Sequence, residues 1–485
     1  MSKGAIVAGV VIAAGAVWTG SSWYLGTQIQ QRLDDYLVKA NEYLKKEGDG
    51  RISMEVVSYD KGVFSSDAVY KVNMNYPQMS ALPKQVLLNS HIEHGPISLS
   101  ALSRGEFVTG YATASTTLVN DEETKPLYDA AGGKEPYVQR DRIDFSGNVH
   151  STAKLAALDV NSGEGAFKSK PVTATSFVDK DFSKLDMAVD LPEASLIGNG
   201  TNADFFIKNV TGQTSSSKTA SGLFVGPGKI SIGMLEIKPK NNKAVSMADF
   251  KVDVKTEEVD DFLNLNVGYD IGKVLVDNID FGAIKLNLAL DHLDGQAVHK
   301  FKQQIGTLNI TPDNAEQQGE QIEQLYAELL TNLIRQKLQV RVAPFSWKTA
   351  SGEGSVEASA HFDGAGQPEG QTMQDNLFLV ESLKKATFGL KADTNLIRDV
   401  VSAGAQVGGA KDKDAADKEA DRIAAMAGLM AQLSGFGKVD DKVISSDIAY
   451  DSALKPDEQI TLNGKKMSLQ ELASKAGSAV SGSSR

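Results

Sequence analysis

Apolar and polar residues alternate with a period of two in many short stretches of this chain. Such alternation is typical of β-strands with one buried and one solvated face. Long strands that follow one another with few helices between them predict an antiparallel meander. The alternating faces hold mostly small or moderately apolar side chains, so we expect a broad covering sheet instead of a tight sandwich. The clearest stretches are Ala68–Tyr76, Val108–Leu118, Phe250–Val254, Leu263–Ile271, Leu286–Leu290 and Val356–Phe362.

Helical periodicity is confined to a few segments, in which apolar residues recur every three or four positions. The predicted helices span residues 27–48, 294–305, 313–338, 394–403 and 414–433. Between the last two, residues 404–413 are small or charged, and we expect a mobile loop there. The predicted fold is therefore mainly β with peripheral helices (α+β). In it, long curved antiparallel sheets form a trough or an elongated sandwich, preceded by an N-terminal transmembrane helix.

Residues 4–26 contain no charged side chain, and about 20 apolar residues are enough to span a bilayer core as a helix. One interpretation is a cleaved signal peptide with its apolar stretch at residues 4–18. The other is an uncleaved anchor, which we favour because apolar character resumes at Trp23 and Tyr24. Aromatic rings at that position suit a membrane–water interface. The chain then continues directly into the predicted helix.

The charges around this segment predict its orientation. Lys3 and the α-amine lie before it, whereas Arg32 after it is neutralised by Asp34 and Asp35. Positive charge marks the cytoplasmic side of a membrane helix, so we expect a cytoplasmic N-terminus and an exported body.

Three small residues recur every four positions within the expected anchor: Ala5, Gly9 and Ala13. A stripe of this kind lets two membrane helices approach closely. We therefore consider these residues candidates for a dimer contact, although small residues are common in such segments in any case.

Length, charge and composition limit the number of domains and exclude several kinds of function. A length of 485 residues allows two to four domains. A net charge of −12 argues against nucleic-acid binding, which needs a basic surface. The absence of cysteine excludes disulfides, thiol catalysis and thiolate metal sites. We predict an anchor at 1–26, a juxtamembrane amphipathic helix at 27–48, an N-terminal β-rich domain at 49–245, a second β-rich unit with helices at 246–375 and a mixed α/β segment at 376–485.

Candidate chemical groups are few, and we expect no cofactor, no metal site and no catalytic residue. His91 and His94 are close in sequence, but residues three apart on a regular strand point to opposite faces and cannot share a metal. Ser65 and Ser66 lack the flanking residues of a known nucleophile motif. Adjacent carboxylates such as Asp260–Asp261 diverge on a strand or turn, which is poor geometry for acid–base work.

Aromatic residues are concentrated in one part of the first β-rich region, namely Tyr59, Phe64, Tyr70 and Tyr76. These side chains are candidates for lining an apolar ligand groove, and ordinary core packing is the alternative. A faint repeat of strand, glycine and strand occurs around Gly95, Gly226 and Gly282. Glycine within a strand pattern indicates a bulge or bend. The repeat is either a duplicated curved β-unit or a chance similarity.

Several motifs together resemble one protein family. They are GSSWYLG at 20–26, SYDKGVFSS at 58–66, HGPISL at 94–99, LALDHLD at 288–294, PFSW at 344–347 with GEG at 352–354, and ITLNGK at 460–465. In this order they resemble the YdgA-like family of Gram-negative bacteria, long classed as a domain of unknown function. The resemblance covers nearly the whole chain. One departure is Asp60–Lys61, where a more basic pair is expected.

The resemblance implies an inner-membrane anchor, a body exposed to the periplasm and a dimeric state. It carries over no catalytic residues, because the family's motifs mark no established active site. The leucine–aspartate motif at 288–294 is also similar to that of β-rich AsmA-like envelope proteins linked to lipid traffic, an analogy at the level of fold alone.

Three hypotheses for function follow. The leading one is a non-enzymatic envelope protein that holds a lipid or another hydrophobic ligand in a curved β-sheet. The second is a homodimeric structural or assembly partner of other envelope proteins, with a role in surface motility or envelope integrity. The third is a hydrolase that uses Ser65 or the His91 and His94 pair.

Overall fold

The computed structural model describes residues 38, 41, 51–61, 65–75, 83–94, 98–162, 165–198, 203–219, 222–306, 308, 315–410 and 412–482. The expected anchor lies outside these residues, and with it Ala5, Gly9, Ala13, Trp23 and Tyr24. No helix among the described residues combines the length and the apolar character needed to cross a bilayer. Of the expected helix 27–48, Val38 and Asn41 are described, and both are helical.

Strands dominate the described residues and pair antiparallel, as the period-two alternation predicted. The earlier strands are β1 (Ile52–Lys61), β2 (Ser65–Met74), β3 (Gln85–His94), β4 (Ala112–Leu118), β5 (Tyr137–Ile143), β6 (Val149–Leu155), β7 (Leu158–Ser162), β8 (Gly165–Ser169), β9 (Val172–Val178), β10 (Lys184–Gly198), β11 (Ala203–Lys218), β12 (Phe224–Val225) and β13 (Pro227–Pro239). The later strands are β14 (Val245–Val259), β15 (Phe262–Val276), β16 (Ile279–Asp294), β17 (Gln339–Lys348), β18 (Glu353–Phe362), β19 (Leu383–Asp393), β20 (Lys438–Asp440), β21 (Val443–Asp451), β22 (Ile460–Leu462) and β23 (Lys465–Met467).

The described helices are few and lie between or after strands. They are α1 (Leu99–Ser103), α2 (Lys125–Ala130), α3 (Gly295–Gly306), α4 (Ala315–Arg335), α5 (Asn376–Ser382), α6 (Thr394–Val407), α7 (Lys413–Ser434) and α8 (Leu469–Gly482). The helices predicted at 294–305, 313–338, 394–403 and 414–433 correspond to α3, α4, α6 and α7. The prediction of a loop at 404–413 is wrong at its start, because α6 continues to Val407 and buries Ala403.

The described residues form two compact units. The first comprises the residues up to Gly233 together with those of 302–322, and the second comprises the rest. The finer division of the chain at residues 245 and 375 stays a prediction.

In the first unit, strands pair antiparallel in the order β1-β2-β3-β4-β5-β6-β9-β10-β11, and β8 also pairs with both β7 and β10. Alternate residues along β2 to β6 are buried, so one face of this sheet forms a core. Its large members include Met54, Tyr70, Leu88, Tyr137 and Leu155.

The carboxamide of Asn41 covers the outer edge of this sheet at β1. It donates to the carbonyl oxygen of Met54 and accepts from the same residue's N–H, both over 2.9 Å. A strand edge otherwise presents unpaired backbone groups to other chains. One side chain thus satisfies at this point the backbone donor and acceptor that a further strand would have paired.

In the second unit, the strands pair antiparallel in the order β14-β15-β16-β17-β18-β19-β21-β22-β23, and β20 pairs with β21. The register shifts between Val342 and Phe345, so Ala343–Pro344 form a bulge in β17. Proline inside a sheet is tolerated at such bulges because it has no N–H to donate.

Gly282 lies at a second irregularity, between β15 and β16. It has a φ of +88°, and a Cβ there would lie 2.1 Å from the carbonyl oxygen of Lys348. A glycine is therefore required at this bend, in agreement with the bulge predicted from the glycine inside the strand pattern.

Candidate functional site

The first unit brings together two of the motifs noted in the sequence. The Tyr59 hydroxyl on β1 donates to Ser66 Oγ on β2 over 2.7 Å. Ser66 Oγ lies 3.1 Å from Nε2 of His94, at the end of β3. Since Tyr59 supplies a proton to Ser66, the serine hydroxyl is free to donate to a neutral imidazole. Residues of the motifs at 58–66 and 94–99 are thus joined by one hydrogen-bond chain.

Burial determines the protonation states and the accessibility of the side chains in this hydrogen-bond chain. Ser66 is only 1% exposed. Burial, and then the positive charge of nearby Lys61, lower the pKa of His94. Burial also raises the pKa of Tyr59, against the opposing effect of its bond to Ser66. The neutral forms of both rings are favoured. A serine beside a neutral histidine has the composition of a nucleophile and base, but this hydroxyl is shielded from a substrate.

Further polar side chains lie on the same buried face. Thr116 Oγ1 donates to Ser90 Oγ over 2.9 Å, and both side chains are buried. On β5, Gln139 Nε2 donates to the two carboxylate oxygens of Asp141, over 3.0 and 3.1 Å. The Tyr137 hydroxyl donates to Gln139 Oε1. Buried polar groups of this kind are stable only when they are hydrogen-bonded, and these are.

His91 and His94 have separate partners, as the strand geometry predicted. His91 Nδ1 lies 2.7 Å from Asp67 on the exposed face of the sheet, whereas His94 faces Ser66. Ser65 is opposite Glu93 in the β2–β3 register and also alternates away from His94. Within the part of the chain that the structure describes, no cluster of three or more His, Asp or Glu side chains is suited to a metal ion.

The aromatic residues proposed for a groove are distributed as follows. Tyr70 is 1% exposed and belongs to the core of the first sheet. Its position corresponds to core packing, the alternative to a ligand groove. Tyr59 is partly buried against the same core. Phe64 and Tyr76 lie outside the described residues. A groove lined by these four aromatics therefore stays a prediction.

The second unit carries a wide apolar face that is not sealed. Cross-strand partners in β14 to β19 place two rows of apolar side chains on one side of the sheet. We call these two rows the open face. The first row is Val252, Tyr269, Leu286, Phe345, Val356 and Leu390, and the second row is Val254, Val267, Leu288, Val342, Ala358 and Phe388.

None of these twelve side chains is buried. Tyr269 and Phe388 are each 39% exposed, and the others are partly exposed. At one end the face is covered, because Leu396 of α6 packs against Gly354 of β18. Contiguous exposed apolar surface of this kind on a sheet is uncommon and marks interaction sites.

The opposite side of the same sheet is polar. Lys285 pairs with Asp270 over 3.1 Å, and Lys385 pairs with Asp451 over 3.4 Å. Exposed pairs like these contribute little to stability. Their position shows that the charged side chains lie on one face of the sheet and the apolar rows on the other. The open face is therefore apolar along its whole width.

Four of the six strands of the open face, β14, β15, β16 and β18, were predicted from sequence, whereas β17, β19 and the exposure of the face were not. Alternation gives the polarity of each face and says nothing about what lies over it. The small and moderately apolar residues of these strands were the one available signal, and they suggested a broad covering sheet. The contact between Ser66 and His94 joins two segments whose serines and histidines the sequence analysis considered only separately.

Residues 1–470 match the DUF945 family, described as bacterial proteins of unknown function. The chain belongs to this family. The chain is similar to Escherichia coli protein YdgA, with 27% identity across 97% of this chain and 96% of the relative. The uncharacterized E. coli protein YihF is 24% identical across 97% of this chain and 98% of the relative.

A more distant relative comes from Haemophilus influenzae, where an uncharacterized protein is 20% identical over 62% of this chain and 85% of its own length. No solved structure matches the chain. Membership in DUF945 bears out the resemblance stated from the motifs, and the names of the relatives add no activity.

Proposed function

We propose that this DUF945 protein is a non-enzymatic envelope protein that binds a lipid or another hydrophobic ligand on the open face. The observation that carries the proposal is the partly exposed pair of apolar rows. An apolar surface gains roughly 25 cal/mol for each Å² removed from water, so such a face favours an apolar partner. Acyl chains suit it because its lining offers no charged side chain.

The dimensions of the face fit a lipid. Neighbouring strands are about 4.8 Å apart, so six strands from β14 to β19 span roughly 24 Å. An extended acyl chain of a membrane lipid, which fills about half of a bilayer core of about 30 Å, fits within this width. The bulges at Gly282 and at Ala343–Pro344 bend the strands that carry the rows, and we propose that these bends shape a trough.

We place the protein at the inner membrane, as a single-pass protein with its N-terminus in the cytoplasm and its body in the periplasm. The support is the uncharged run at 4–26 with Trp23 and Tyr24 at its end. Homodimerisation through Ala5, Gly9 and Ala13 is part of the same proposal. Access to membrane lipid would follow directly from this location.

A role without catalysis is supported by the burial of Ser66, the best nucleophile candidate beside a histidine. Its bonds to Tyr59 and His94 belong to a hydrogen-bonded buried face and not to an open cleft. If alanine variants of Ser65, Ser66, His91 and His94 all keep the cellular phenotype of the wild-type chain, the hydrolase alternative is excluded.

The proposal is tested by binding of a fluorescent phosphatidylethanolamine to the purified full-length chain. Leu288→Asp places a charge on the open face, and Asn287→Asp, the adjacent residue on the polar face, is the matched control. We expect Leu288→Asp to weaken binding about tenfold or more, because burial of a lone charge against acyl chains is unfavourable, and Asn287→Asp to leave it unchanged. Equal binding by both variants would contradict the proposal.

Crosslinking in cells distinguishes lipid binding from the alternative function, that of an assembly partner of other envelope proteins. Discrete protein adducts from the open face, without lipid, would favour the assembly partner.

A further inference from the structure

The open face is covered at one end of its strands by α6. Asp399 of this helix accepts hydrogen bonds from Thr349 Oγ1 over 2.7 Å and from Ser351 Oγ over 2.5 Å, in the turn between β17 and β18. A Cβ at Gly352 in the same turn would lie 2.2 Å from the backbone nitrogen of Leu396, so the helix touches the turn directly. These contacts fix α6 at this end of the sheet.

The first row of the open face also ends under a cover, at β21. Leu390, its last member, pairs with Ser446, which is 7% exposed. Ser446 Oγ donates to the carbonyl oxygen of Phe436 over 2.8 Å, in the connection between α7 and β20. Ile444, which alternates with Ser446 onto the same side of the sheet, is 6% exposed. We call this end of the row, formed by Leu390 and Ser446, the closed corner.

Toward β14 the first row stays open. Val252 is partly exposed, and Tyr269 on β15 is 39% exposed. Tyr269 is the one member of the first row whose side chain carries a polar atom. Its hydroxyl has no hydrogen-bond partner among the residues that the structure describes. This hydroxyl is therefore available to the polar group of a ligand.

The distance between the closed corner and Tyr269 matches the length of an acyl chain. Leu390 and Tyr269 lie on β19 and β15, so they are about 19 Å apart at about 4.8 Å for each step between neighbouring strands. The hydrocarbon of one leaflet is about 15 Å thick, half of a bilayer core of about 30 Å. A chain that begins in the closed corner therefore ends within about one strand spacing of Tyr269.

We infer that an acyl ligand lies across the strands along the first row, with its terminal methyl group in the closed corner and its polar end at the Tyr269 hydroxyl. The inference rests on the proposed function, to which it adds the direction of the ligand and the residue that recognises its polar end. The reverse direction is unfavourable because the hydroxyl of Ser446 already donates to Phe436, and a polar group buried without a partner costs free energy.

The absence of cysteine allows a direct test of this direction. Phe388→Cys and Val254→Cys, at opposite ends of the second row, each receive a fluorophore, which leaves the first row intact. The purified full-length chain is mixed with phosphatidylethanolamine that carries a nitroxide quencher either near the terminal methyl group or near the ester. Asn287→Cys on the polar face is the control for quenching by lipid that is not bound to the open face.

We expect the nitroxide near the methyl group to quench position 388 at least about twofold more than position 254, and the nitroxide near the ester to give the reverse. The two positions are far enough apart for this, at about 24 Å. Equal quenching at both positions, or the opposite pattern, overturns the inferred direction, and the proposed function then stands if both exceed position 287. Quenching no stronger than at position 287 contradicts the proposed function as well.

Tyr269→Phe tests the polar contact, because it removes the hydroxyl and keeps the ring. Tyr450→Phe is the matched control, since Tyr450 pairs with Ala386 on the same side of the sheet but at β21. We expect Tyr269→Phe to weaken binding of phosphatidylethanolamine about two- to tenfold, as for the loss of one neutral hydrogen bond, and Tyr450→Phe to leave it unchanged. Equal binding by the two variants overturns the role assigned to Tyr269.

Discussion

The strands of the first unit and those of the second, called here the first and the second sheet, share the same alternation of residues. The apolar side chains are buried in the first sheet and partly exposed in the second. In the first sheet Tyr70 is 1% exposed, and in the second sheet Tyr269 is 39% exposed. Both tyrosines are flanked by paired strands on either side. The first sheet therefore places its apolar residues in a stabilising core, whereas the second leaves a surface that can take a partner. The pattern of residues reports which face is apolar and not whether that face is covered.

The largest expected difference between the sheets is in the cost of removing a tyrosine ring. Tyr70→Ala should lower the free energy of unfolding by about 3–5 kcal/mol, because it leaves a cavity in a sealed core. Tyr269→Ala should cost less than about 1 kcal/mol, since its ring already meets solvent. Chemical unfolding followed by circular dichroism measures both. Similar losses in the two variants would contradict the distinction between a sealed and an open face.

A second variant tests whether the backbone of the second sheet has one fixed conformation at the bend of Gly282. Gly282→Ala should lower stability by about 2–3 kcal/mol, because its positive φ and the nearby Lys348 carbonyl exclude a Cβ. Gly389→Ala is the control, since a Cβ there meets Asp447 Oδ1 at an ordinary 3.5 Å. The same unfolding measurement applies. A loosely formed sheet would tolerate both substitutions equally.

The polar contacts of the sealed face provide a third test. Gln139→Leu should lower the stability of the first unit by about 1–3 kcal/mol, because it removes a donor to the buried Asp141 carboxylate. Ser115→Ala on the other face of the neighbouring strand should change stability by less than about 0.5 kcal/mol. Hydrogen exchange of β4 to β6 locates the effect. Unchanged protection in Gln139→Leu would show that this polar contact is not needed for the core.

The smallest effect concerns pH. Burial lowers the pKa of His94 from its ordinary value of 6.5, so the unfolded chain takes up a proton before the folded one as pH falls. The stabilising contribution of His94 is therefore present above pH 6.5 and declines below it. The stability difference between the wild-type chain and His94→Gln should shrink from pH 7.5 to pH 5. A difference that grows with acidity would mean that the ring is charged in the folded state.

The longest helices and several long strands followed from the sequence because they depend on local periodicity. The alternation at Leu263–Ile271 and the helical spacing at 414–433 each predicted an element that the structure contains. The expected start of the loop at Gly404 is wrong because small residues also suit a closely packed helix, and α6 continues to Val407. Alanine favours a helix and glycine disfavours one, so a segment that mixes both has no clear local preference.

The candidate site depended on contacts between distant residues, which periodicity does not encode. Ser66 and His94 lie 28 residues apart and meet only because β2 and β3 pair in one register. The open face likewise requires six strands in register, and its exposure depends on the placement of every other element. The aromatic run around Tyr70 drew attention to the first sheet, where Tyr70 belongs to the core and Tyr59 packs against it.

The most direct test of a ligand on the open face is photocrosslinking in living cells. A photoreactive phenylalanine analogue replaces Tyr269 on the open face, and the matched probe replaces Asn287 on the polar face. We expect lipid adducts of the full-length chain at position 269 and none at position 287, detected by mass spectrometry. Adducts at neither position, or equally at both, would contradict the claim that the second sheet holds a hydrophobic ligand.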